Sequence, residues 1–540
     1  MKKLFSLLAF LISLQLFAQE DAWVFLKNKP NSAAYFASPL TMLSQRALDR
    51  RTKQNIAIDS IDVPIDVRHY SLVKNTFGIT VLAKSKWLNA IHVQGTQVDI
   101  KNLKTTYTFV DKIEFANKTL NTKGVSSKKS TQRTKRNKFE KTTTNFNYGN
   151  AANQISMLKG DFLHQIGYTG TGMQIAVIDA GFPNVNTLAA FQRLRDNNQI
   201  LGGYNFADRT TNFYTRDSHG TNVLSTIAGY IDGQFVGTAP DAKFYLFISE
   251  IAETETVLEE TLWVEAAERA DSLGVDVINT SLGYTTFDNA AYNYTYNDMD
   301  GKTTFITRGA EIGVSRGMIL VNAAGNEGND DWKYMGAPAD AASIFTVGAV
   351  NATGNIAAFS SFGPTSDGRI KPDVLAQGQN VYVINHISGT AVTSNGTSFS
   401  SPIMAGIVAC FWQAFPDLTN LQIMQRIRES ADKYNNPTAQ EGYGIPNFEN
   451  AYSILGVEDQ NFLNVTTVYP NPVNNNFTIQ TSLQSLENTQ IQIFNVIGKK
   501  VFEKIGLRTK KVNVSQLHSG IYILKITNGN QQKTIKLIKK

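Results

Sequence analysis

Three residues of this chain have the types and the order needed for nucleophilic attack on a carbonyl: Asp179, then His219, then Ser398. A serine hydroxyl attacks a carbonyl efficiently only when a neighbouring base accepts its proton, and an imidazole with a pKa near neutrality is the usual base. A buried carboxylate can hold that imidazole in one tautomer and compensate its positive charge. The sequence therefore predicts a triad in which Ser398 is the nucleophile, His219 the base and Asp179 the residue that orients the base.

The negatively charged oxygen of the tetrahedral intermediate needs preorganised hydrogen-bond donors, each worth about 2.7–4 kcal/mol. Asn326 and the backbone N–H of Ser398 are the predicted donors. Each residue also has an ordinary structural explanation. Asp179 could be a helix cap or turn residue, Gly-Thr-Ser an ordinary turn, and Asn326 a residue in a left-handed turn conformation. The occurrence of all four groups in one order favours the catalytic interpretation.

Local patterns place these groups at the ends of secondary-structure elements. Ile175 to Ile178 is an apolar run typical of a buried parallel strand, so Asp179 should lie at the carboxyl end, where ligands bind in open α/β sheets. Apolar residues recur at helical spacing after His219 and after Ser398, which predicts that each begins a helix. The free N–H groups and the dipole at a helix start favour the negative charge that develops beside Ser398.

The rest of the central region alternates between strand and helix patterns. Val275 to Ile278 and Met318 to Asn322 are predicted strands, and Glu255 to Leu273 is a predicted long amphipathic helix. Repeated strand–helix units imply an α/β fold with a doubly wound, largely parallel sheet.

These motifs resemble those of the subtilisin-like serine proteases, over roughly residues 147–455. The resemblance extends to further segments: Gly237 to Pro240, Val277 to Gly283, Val347 to Val350, Phe359 to Gly363 and Lys371 to Val374. It implies that Ser281, Leu282 and Gly283 form a strand that binds an extended peptide substrate. It also implies that Ala323, Ala324 and Gly325 line the opposite wall of the pocket.

The chain departs from the family's usual pattern at three positions. Ala180 replaces a small hydroxyl residue, Asn222 a common second histidine, and Gln377 a usual proline. None of these changes removes a catalytic atom. The first alters how the Asp179 carboxylate is expected to be hydrogen-bonded.

The 540 residues exceed what one hydrophobic core usually serves, and composition divides them into five stretches. Residues 1–18 have two lysines followed by an apolar stretch, which predicts a secretory signal peptide. Residues 19–120 predict a small α+β domain, by resemblance a propeptide, and 121–146 a basic, exposed linker with a processing site. The catalytic domain is expected over 147–457 and an all-β sandwich over 460–540.

The C-terminal stretch carries motifs of its own, among them Tyr469-Pro470-Asn471-Pro472, Ser519-Gly520-Ile521-Tyr522 and a lysine-rich end. They resemble the sorting domain of the type IX secretion route in certain Gram-negative bacteria. That resemblance implies the secretion machinery as a partner. The alternative is a carbohydrate-binding or spacer sandwich.

The charge of the chain is distributed unevenly. The isoelectric point is near 9.0, but residues 146–459 have 16 basic and 33 acidic side chains, and the basic excess lies in the flanking stretches. This distribution argues against nucleic-acid binding. It instead predicts that a basic propeptide docks electrostatically on an acidic enzyme. No run after the signal peptide is long enough for a transmembrane segment.

The remaining candidate ligands predict no particular cofactor site. The other histidines, His69, His92, His164, His386 and His518, lack metal-ligand spacing. The acidic domain leaves room for structural calcium, but no compact oxygen-ligand motif identifies a site. Cys410, the only cysteine, excludes an internal disulfide and is expected in the core.

The sequence thus predicts a secreted or surface-displayed serine endopeptidase, made as a zymogen, that acts on proteins or peptides and needs no cofactor for its chemistry. A catalytically inactive adhesin or binding scaffold on the same fold is the alternative. An esterase using the same site is a further alternative. Labelling with a serine-directed organophosphate separates the first alternative from an enzyme, and protein hydrolysis separates the second.

Overall fold

The computed structural model describes residues 19–121, 146–453, 466–481, 486–495, 499–507, 509–528 and 531–540. The predicted signal peptide and nearly all of the predicted basic linker lie outside these residues. The chain divides into two compact units between Pro446 and Asn447, and each is described by itself. Within the described ranges, no helix is both long and apolar enough to span a bilayer.

Residues 19–121, here called the N-terminal segment, combine one antiparallel sheet with short helices. Its elements are β1 (Gln19–Leu26), α1 (Ser32–Ala37), α2 (Gln45–Lys53), α3 (Val67–Lys74), β2 (Ile79–Ser85), β3 (Ala90–Thr96), α4 (Gln97–Thr106) and β4 (Val110–Phe115). The strand order is β2-β3-β1-β4, with antiparallel neighbours. The α+β prediction is confirmed for this segment.

The central sheet has seven strands in the order β13-β12-β11-β10-β5-β9-β6, and every neighbouring pair is parallel. The strands from β5 to β15 are β5 (Gln174–Asp179), β6 (Ile200–Asn205), β7 (Tyr230–Ile231), β8 (Phe235–Val236), β9 (Lys243–Ile248), β10 (Val277–Thr280), β11 (Ile319–Ala323), β12 (Phe345–Val350), β13 (Val374–Gln377), β14 (Val381–Ile384) and β15 (Ala391–Ser394). The apolar residues of β5 are fully buried, as expected when a parallel sheet is covered on both faces.

The helices of this unit pack on both faces of the sheet. They are α5 (Ala152–Ser156), α6 (Gly160–Gln165), α7 (Gln192–Asp196), α8 (His219–Ala228), α9 (Val257–Leu273), α10 (Phe305–Ser315), α11 (Thr397–Ala414) and α12 (Asn420–Glu429). On β10, Asn279 accepts a hydrogen bond from Ser401 of α11, and Thr280 accepts one from Trp263 of α9. Adjacent strand residues point to opposite faces, so α9 and α11 lie on opposite sides. The predicted doubly wound sheet is confirmed.

Strand β10 begins two residues later than the apolar pattern predicts. The preceding helix ends at Gly274, whose φ of +86° is a left-handed conformation that glycine adopts easily. The Val275 N–H then donates to the Ala270 carbonyl. Because Val275 closes the helix end, the strand starts at Val277.

Helix α9 is amphipathic in sequence, yet its polar face is also buried, because the N-terminal segment covers it. Glu268 accepts hydrogen bonds from the Ser85 hydroxyl (2.6 Å) and the Trp87 N–H (2.9 Å). Asp271 forms ion pairs with Arg50 and with Arg51, the latter at 2.7 Å. Both Asp271 and its arginines are almost fully buried.

The C-terminal unit contains two antiparallel sheets. Its strands are β16 (Thr467–Tyr469), β17 (Asn476–Gln480), β18 (Leu486–Asn495), β19 (Lys500–Leu507), β20 (Lys511–Asn513), β21 (Gly520–Asn528) and β22 (Gln531–Lys539). The sheet orders are β16-β17-β20 and β19-β18-β21-β22. Residues of both sheets, including Phe477 and Leu524, share one buried apolar cluster. The predicted all-β sandwich is confirmed.

Candidate active site

Asp179 and His219 meet where β5 ends and α8 begins. Asp179 is the last residue of β5 and is fully buried, whereas the His219 side chain, at the first position of α8, is 31% exposed. His219 Nδ1 lies 2.7 Å from Asp179 Oδ1. The Asp217 carboxylate accepts the His219 backbone N–H at 2.8 Å. One ring nitrogen is therefore engaged by the carboxylate, while the ring edge faces solvent.

The Asp179 carboxylate is only partly satisfied. Its Oδ1 also accepts the Ala180 backbone N–H at 2.8 Å, whereas its buried Oδ2 has no hydrogen-bond partner among the described residues. Alanine at position 180 has no hydroxyl with which to supply a further bond.

Ser398 lies in the first turn of α11, after Gly396, whose φ is +144°. The Ser398 hydroxyl donates a long hydrogen bond of 3.3 Å to the Ser281 carbonyl. In return, the Ser281 hydroxyl donates to the Ser398 carbonyl at 2.9 Å. The ring of Phe399 lies 6.1 Å from the His219 ring, centre to centre.

A cavity of about 350 Å³ brings His219, Ser398 and Asn326 to one surface. Its lining also includes Asp217, Ser218, Asn222, Ser394, Asn395 and Phe399. Asp179 does not line the cavity but lies behind His219, bonded to its inner nitrogen. His219, Ser398 and Asn326 therefore share one cavity, with Asp179 bonded to His219 from behind, and the Ser398 hydroxyl bonds the Ser281 carbonyl and not His219.

The Asn326 side chain is fixed with its amide nitrogen available to the cavity. Its Oδ1 accepts the Thr397 backbone N–H at 2.8 Å and the Thr397 hydroxyl at 3.1 Å. Because the backbone N–H can only donate, the oxygen must face Thr397, which leaves Nδ2 as the free donor. The left-handed residue of this turn is Gly325, with φ of +109°, and not Asn326. The turn therefore gives no conformational reason for an asparagine at 326.

None of the six residues predicted to bind substrate is among the lining residues of this cavity. Ser281 to Gly283 follow β10 and are not part of that strand. The Leu282 carbonyl accepts a hydrogen bond of 3.4 Å from Asn322. The Gly325 N–H donates to the Thr397 hydroxyl at 3.1 Å. Since Ser281 also contacts Ser398, both segments are anchored to the first turn of α11.

Negative charges around His219 determine the direction in which the pKa of its imidazole is shifted. Burial by itself lowers the pKa of the imidazole, but Asp179, Asp217 and Glu250 outweigh it, and the net pKa is raised above the usual 6.5. Such a group is a stronger base than free histidine. This is the tuning that a general base for a serine hydroxyl requires.

Glu250 belongs to an acidic cluster that the sequence interpretation missed. The carboxylates of Glu250, Glu255 and Glu259 have oxygens within 4.8 Å of one another, and such oxygens are the ligand type of hard cations. Burial raises the pKa of Glu250 and Glu255 to about 7 and that of Glu259 to about 8. Glu250 lies two residues after the end of the apolar strand β9, and Asp179 is the last residue of the neighbouring β5, so the position of Glu250 near a strand end could have been inferred from the sequence.

Cys410 takes no part in this chemistry. It is fully buried, its thiol donates to the Thr238 carbonyl at 3.3 Å, and burial raises its pKa well above the usual value. The prediction of a core cysteine is confirmed.

Comparison with known families assigns three parts of the chain. Residues 170–445 match the subtilase family, and residues 21–136 match the peptidase S8 propeptide domain of Bacteroidota. Residues 467–540 match the secretion system C-terminal sorting domain. The order of these matches along the chain is the one that the sequence motifs predict.

Two subtilisins agree with this assignment. Subtilisin from Bacillus pumilus is 33% identical over 304 residues, which cover 55% of this chain and 97% of that protein. Subtilisin NAT from Bacillus subtilis subsp. natto is also 33% identical over 304 residues, or 55% of this chain and 70% of that protein. Among solved structures, MycP1 with its N-terminal propeptide removed is 23% identical and covers 55% of this chain and 96% of its own, with a TM-score of 0.44. The chain belongs to the subtilase family of serine-type endopeptidases, with an S8 propeptide domain before the catalytic region and a secretion sorting domain after it.

Proposed function

We propose that this protein is a secreted endopeptidase that cleaves peptide bonds through Asp179, His219 and Ser398. The single observation that carries the proposal is the contact of 2.7 Å between His219 Nδ1 and Asp179 Oδ1, beside a cavity that His219 shares with Ser398. A carboxylate on Nδ1 keeps the proton there, so Nε2 is free to accept the proton of the serine hydroxyl.

The reaction follows from these roles. Ser398 Oγ attacks the substrate carbonyl while His219 accepts its proton, and the tetrahedral oxyanion is held by Asn326 Nδ2 and the Ser398 N–H. His219 then protonates the leaving amine, which gives an acyl-enzyme that water hydrolyses. Residues 281–283 and 323–325 hold the substrate backbone on either side of the pocket.

The proposal includes the life cycle of the chain. Residues 1–18 direct the first export step, and residues 19–120 act as the propeptide. Cleavage within 121–146 frees the catalytic domain, residues 147–457, and the tail, residues 460–540, engages the secretion machinery. The buried ion pairs between the N-terminal segment and α9 support the proposal that this segment is an inhibitor that stays bound until processing is complete.

An activity-based probe tests the function directly. Processed enzyme treated with a fluorophosphonate should become labelled, and peptide mapping should place the label on Ser398. Cleavage of casein by the same preparation distinguishes an endopeptidase from an esterase. An inactive scaffold would take up no label, and label on another serine would contradict the assigned nucleophile.

Replacing Asn326 by alanine should lower kcat by about 10²–10³-fold with little change in KM, since the donor acts on the oxyanion and not on the ground state. Asn395→Ala is the matched control, because Asn395 lines the same cavity but its Oδ1 accepts a hydrogen bond of 2.7 Å from the Asn380 N–H. Steady-state kinetics on a peptide anilide measure kcat and KM for both variants. A loss smaller than about threefold in Asn326→Ala would remove Asn326 from the oxyanion site.

The pH profile should report the charges around His219. Activity requires the neutral imidazole, so kcat/KM should fall as the pH drops through a midpoint above 6.5. Glu250→Gln removes one of the charges that favour the imidazolium, which lowers the His219 pKa and moves this midpoint to lower pH. The shift should be a few tenths of a pH unit, because Glu250, with a pKa of about 7, is only partly charged there. Glu253→Gln, at a side chain 78% exposed, should leave the midpoint unchanged.

Inhibition by the N-terminal segment should depend on Asp271. Asp271→Asn leaves Arg50 and Arg51 buried without this partner charge, and breaking a buried pair costs about 3–5 kcal/mol. The inhibition constant of added residues 19–121 should therefore rise by about a hundredfold or more. Asp276→Asn, whose partner Arg46 is 38% exposed, should raise it by about tenfold at most. Added salt should mainly weaken the exposed ion pairs. Equal rises of the inhibition constant in the two variants would contradict a buried anchor at Asp271.

A further inference from the structure

The outer face of the sheet β19-β18-β21-β22 in the C-terminal unit carries exposed apolar residues among its polar ones, although solvent-facing sheets are usually polar. On β21, Tyr522, Leu524 and Ile526 face the buried cluster. The alternating positions Ile521 and Ile523 point outward and are 48% and 44% exposed. Half-exposed isoleucines at consecutive outward positions of one strand are an unusual arrangement for a surface.

Pairing across the sheet extends this apolar surface over three strands. Ile523 lies directly opposite Phe494 of β18, and Ile521 lies directly opposite Ile538 of β22. All four side chains share the outward face, because facing residues of an antiparallel pair point the same way. Phe494, Ile521, Ile523 and Ile538 are called the apolar strip below. In the described part of the C-terminal unit, five large hydrophobic side chains are at least 36% exposed, and four of these lie in this sheet.

Lysines border the apolar strip. Lys536 lies opposite Ile523 on β22, Lys525 is the next outward residue on β21, and Lys500 lies opposite Phe494 on β19. Lys500 pairs with Glu503, at 2.5 Å. Residues 460–540 as a whole have 11 basic and 2 acidic side chains. A partner that covers the strip must therefore offer an apolar surface bordered by carboxylates.

We propose that the apolar strip is the surface by which this tail is recognised during export, and that its occupant is a protein of the secretion machinery with an apolar, acid-bordered site. The proposal rests on the sorting role of the tail in the proposed function. A sorting domain has to be recognised by a partner protein. Apolar surface contributes affinity to such binding, and charge complementarity contributes specificity. The outer face of the other sheet offers less for this purpose, since apart from the exposed Tyr469 it presents polar residues such as Thr467, Thr478 and Lys511.

The test measures export of the full chain from a bacterium that has a type IX secretion system, as the ratio of extracellular to cell-retained protein. Ile521→Glu with Ile523→Glu should lower this ratio at least tenfold. The control, Thr467→Glu with Thr478→Glu, adds the same charge to the other sheet and should export like the unmodified chain. Normal export of the isoleucine pair would overturn the proposal.

Two further variants keep the result interpretable. Lys525→Glu with Lys536→Glu reverses the bordering charge without changing the buried core. This variant should also be retained in the cell, so it tests the proposal even if the isoleucine variant fails to fold. Normal export of the lysine pair would overturn the acid-bordered partner. A chain ending at residue 459 shows whether the tail directs export at all. Its normal export would refute the sorting role, whereas its retention together with export of both pairs would refute only the apolar strip.

Discussion

Ser398→Ala should abolish turnover, with a fall in kcat of about 10⁶-fold, the scale that loss of the nucleophile has in a Ser–His–Asp protease. KM should change little, since in the proposed function the substrate is held by neighbouring backbone and not by the hydroxyl. The folded state should be nearly unaffected, because the hydroxyl makes one hydrogen bond of 3.3 Å and such a bond contributes about 1 kcal/mol. The variant should also remain joined to its N-terminal segment if processing is autocatalytic.

The measurement needs protein that has been processed in trans, so that a bound propeptide is not mistaken for a dead active site. Ser400→Ala is the matched control, since Ser400 is buried in the same helical turn and its hydroxyl donates to the Thr397 carbonyl at 3.0 Å. It should retain activity within a few-fold of the unmodified enzyme. Turnover of Ser398→Ala within tenfold of the unmodified enzyme would show that another residue is the nucleophile.

Strands and helices next to the proposed triad could be predicted because local patterns determine them. The apolar run before Asp179 is buried on both faces, so it had to be an interior strand of a parallel sheet. Helices do begin at His219 and at Thr397, immediately before Ser398. Parallel strands present their carboxyl ends at one edge, which brings residues far apart in sequence to one place.

Features that depend on distant partners could not be predicted in this way. From the sequence, the charged face of α9 is predicted to be exposed to solvent. In the structure it is covered by residues about 220 positions earlier in the chain, such as Arg51. Nothing local specifies that pairing. The role of Thr397 in orienting Asn326 was missed for the same reason, since the two residues are 71 positions apart. Patterning predicts which faces are apolar, whereas buried polar contacts between distant segments require the assembled fold.

Asp217 and Glu250 illustrate an intermediate case. Asp217 is two residues before His219, and Glu250 follows a strand adjacent to β5, so their positions could have been inferred. Their effect on the imidazole could not, because it depends on distance and burial together. The electrostatic environment of the base is thus a property of the folded site.

Asp179→Asn should lower kcat by at most about 10⁴-fold, the loss that such a change causes when the histidine also takes the wrong tautomer, and the structure indicates which part of the carboxylate's role is lost. Because Oδ1 accepts both the Ala180 N–H and the His219 ring nitrogen, an asparagine oxygen at that position keeps both bonds. The amide nitrogen would then occupy the buried Oδ2 position, where no acceptor lies among the described residues. The substitution would therefore remove the negative charge while leaving the histidine tautomer largely in place.

Loss of that charge has a signature that a structural defect would not produce. Asp179 is the strongest of the influences that raise the His219 pKa, so without it the acid limb of the residual activity should move to lower pH. Asp217→Asn is the control: it removes another nearby charge, but Asp217 bonds the backbone N–H and not the ring. It should shift the limb slightly and keep most of the activity. A 10⁴-fold loss in Asp179→Asn without a downward shift would indicate that the wrong tautomer, and not the missing charge, limits the reaction.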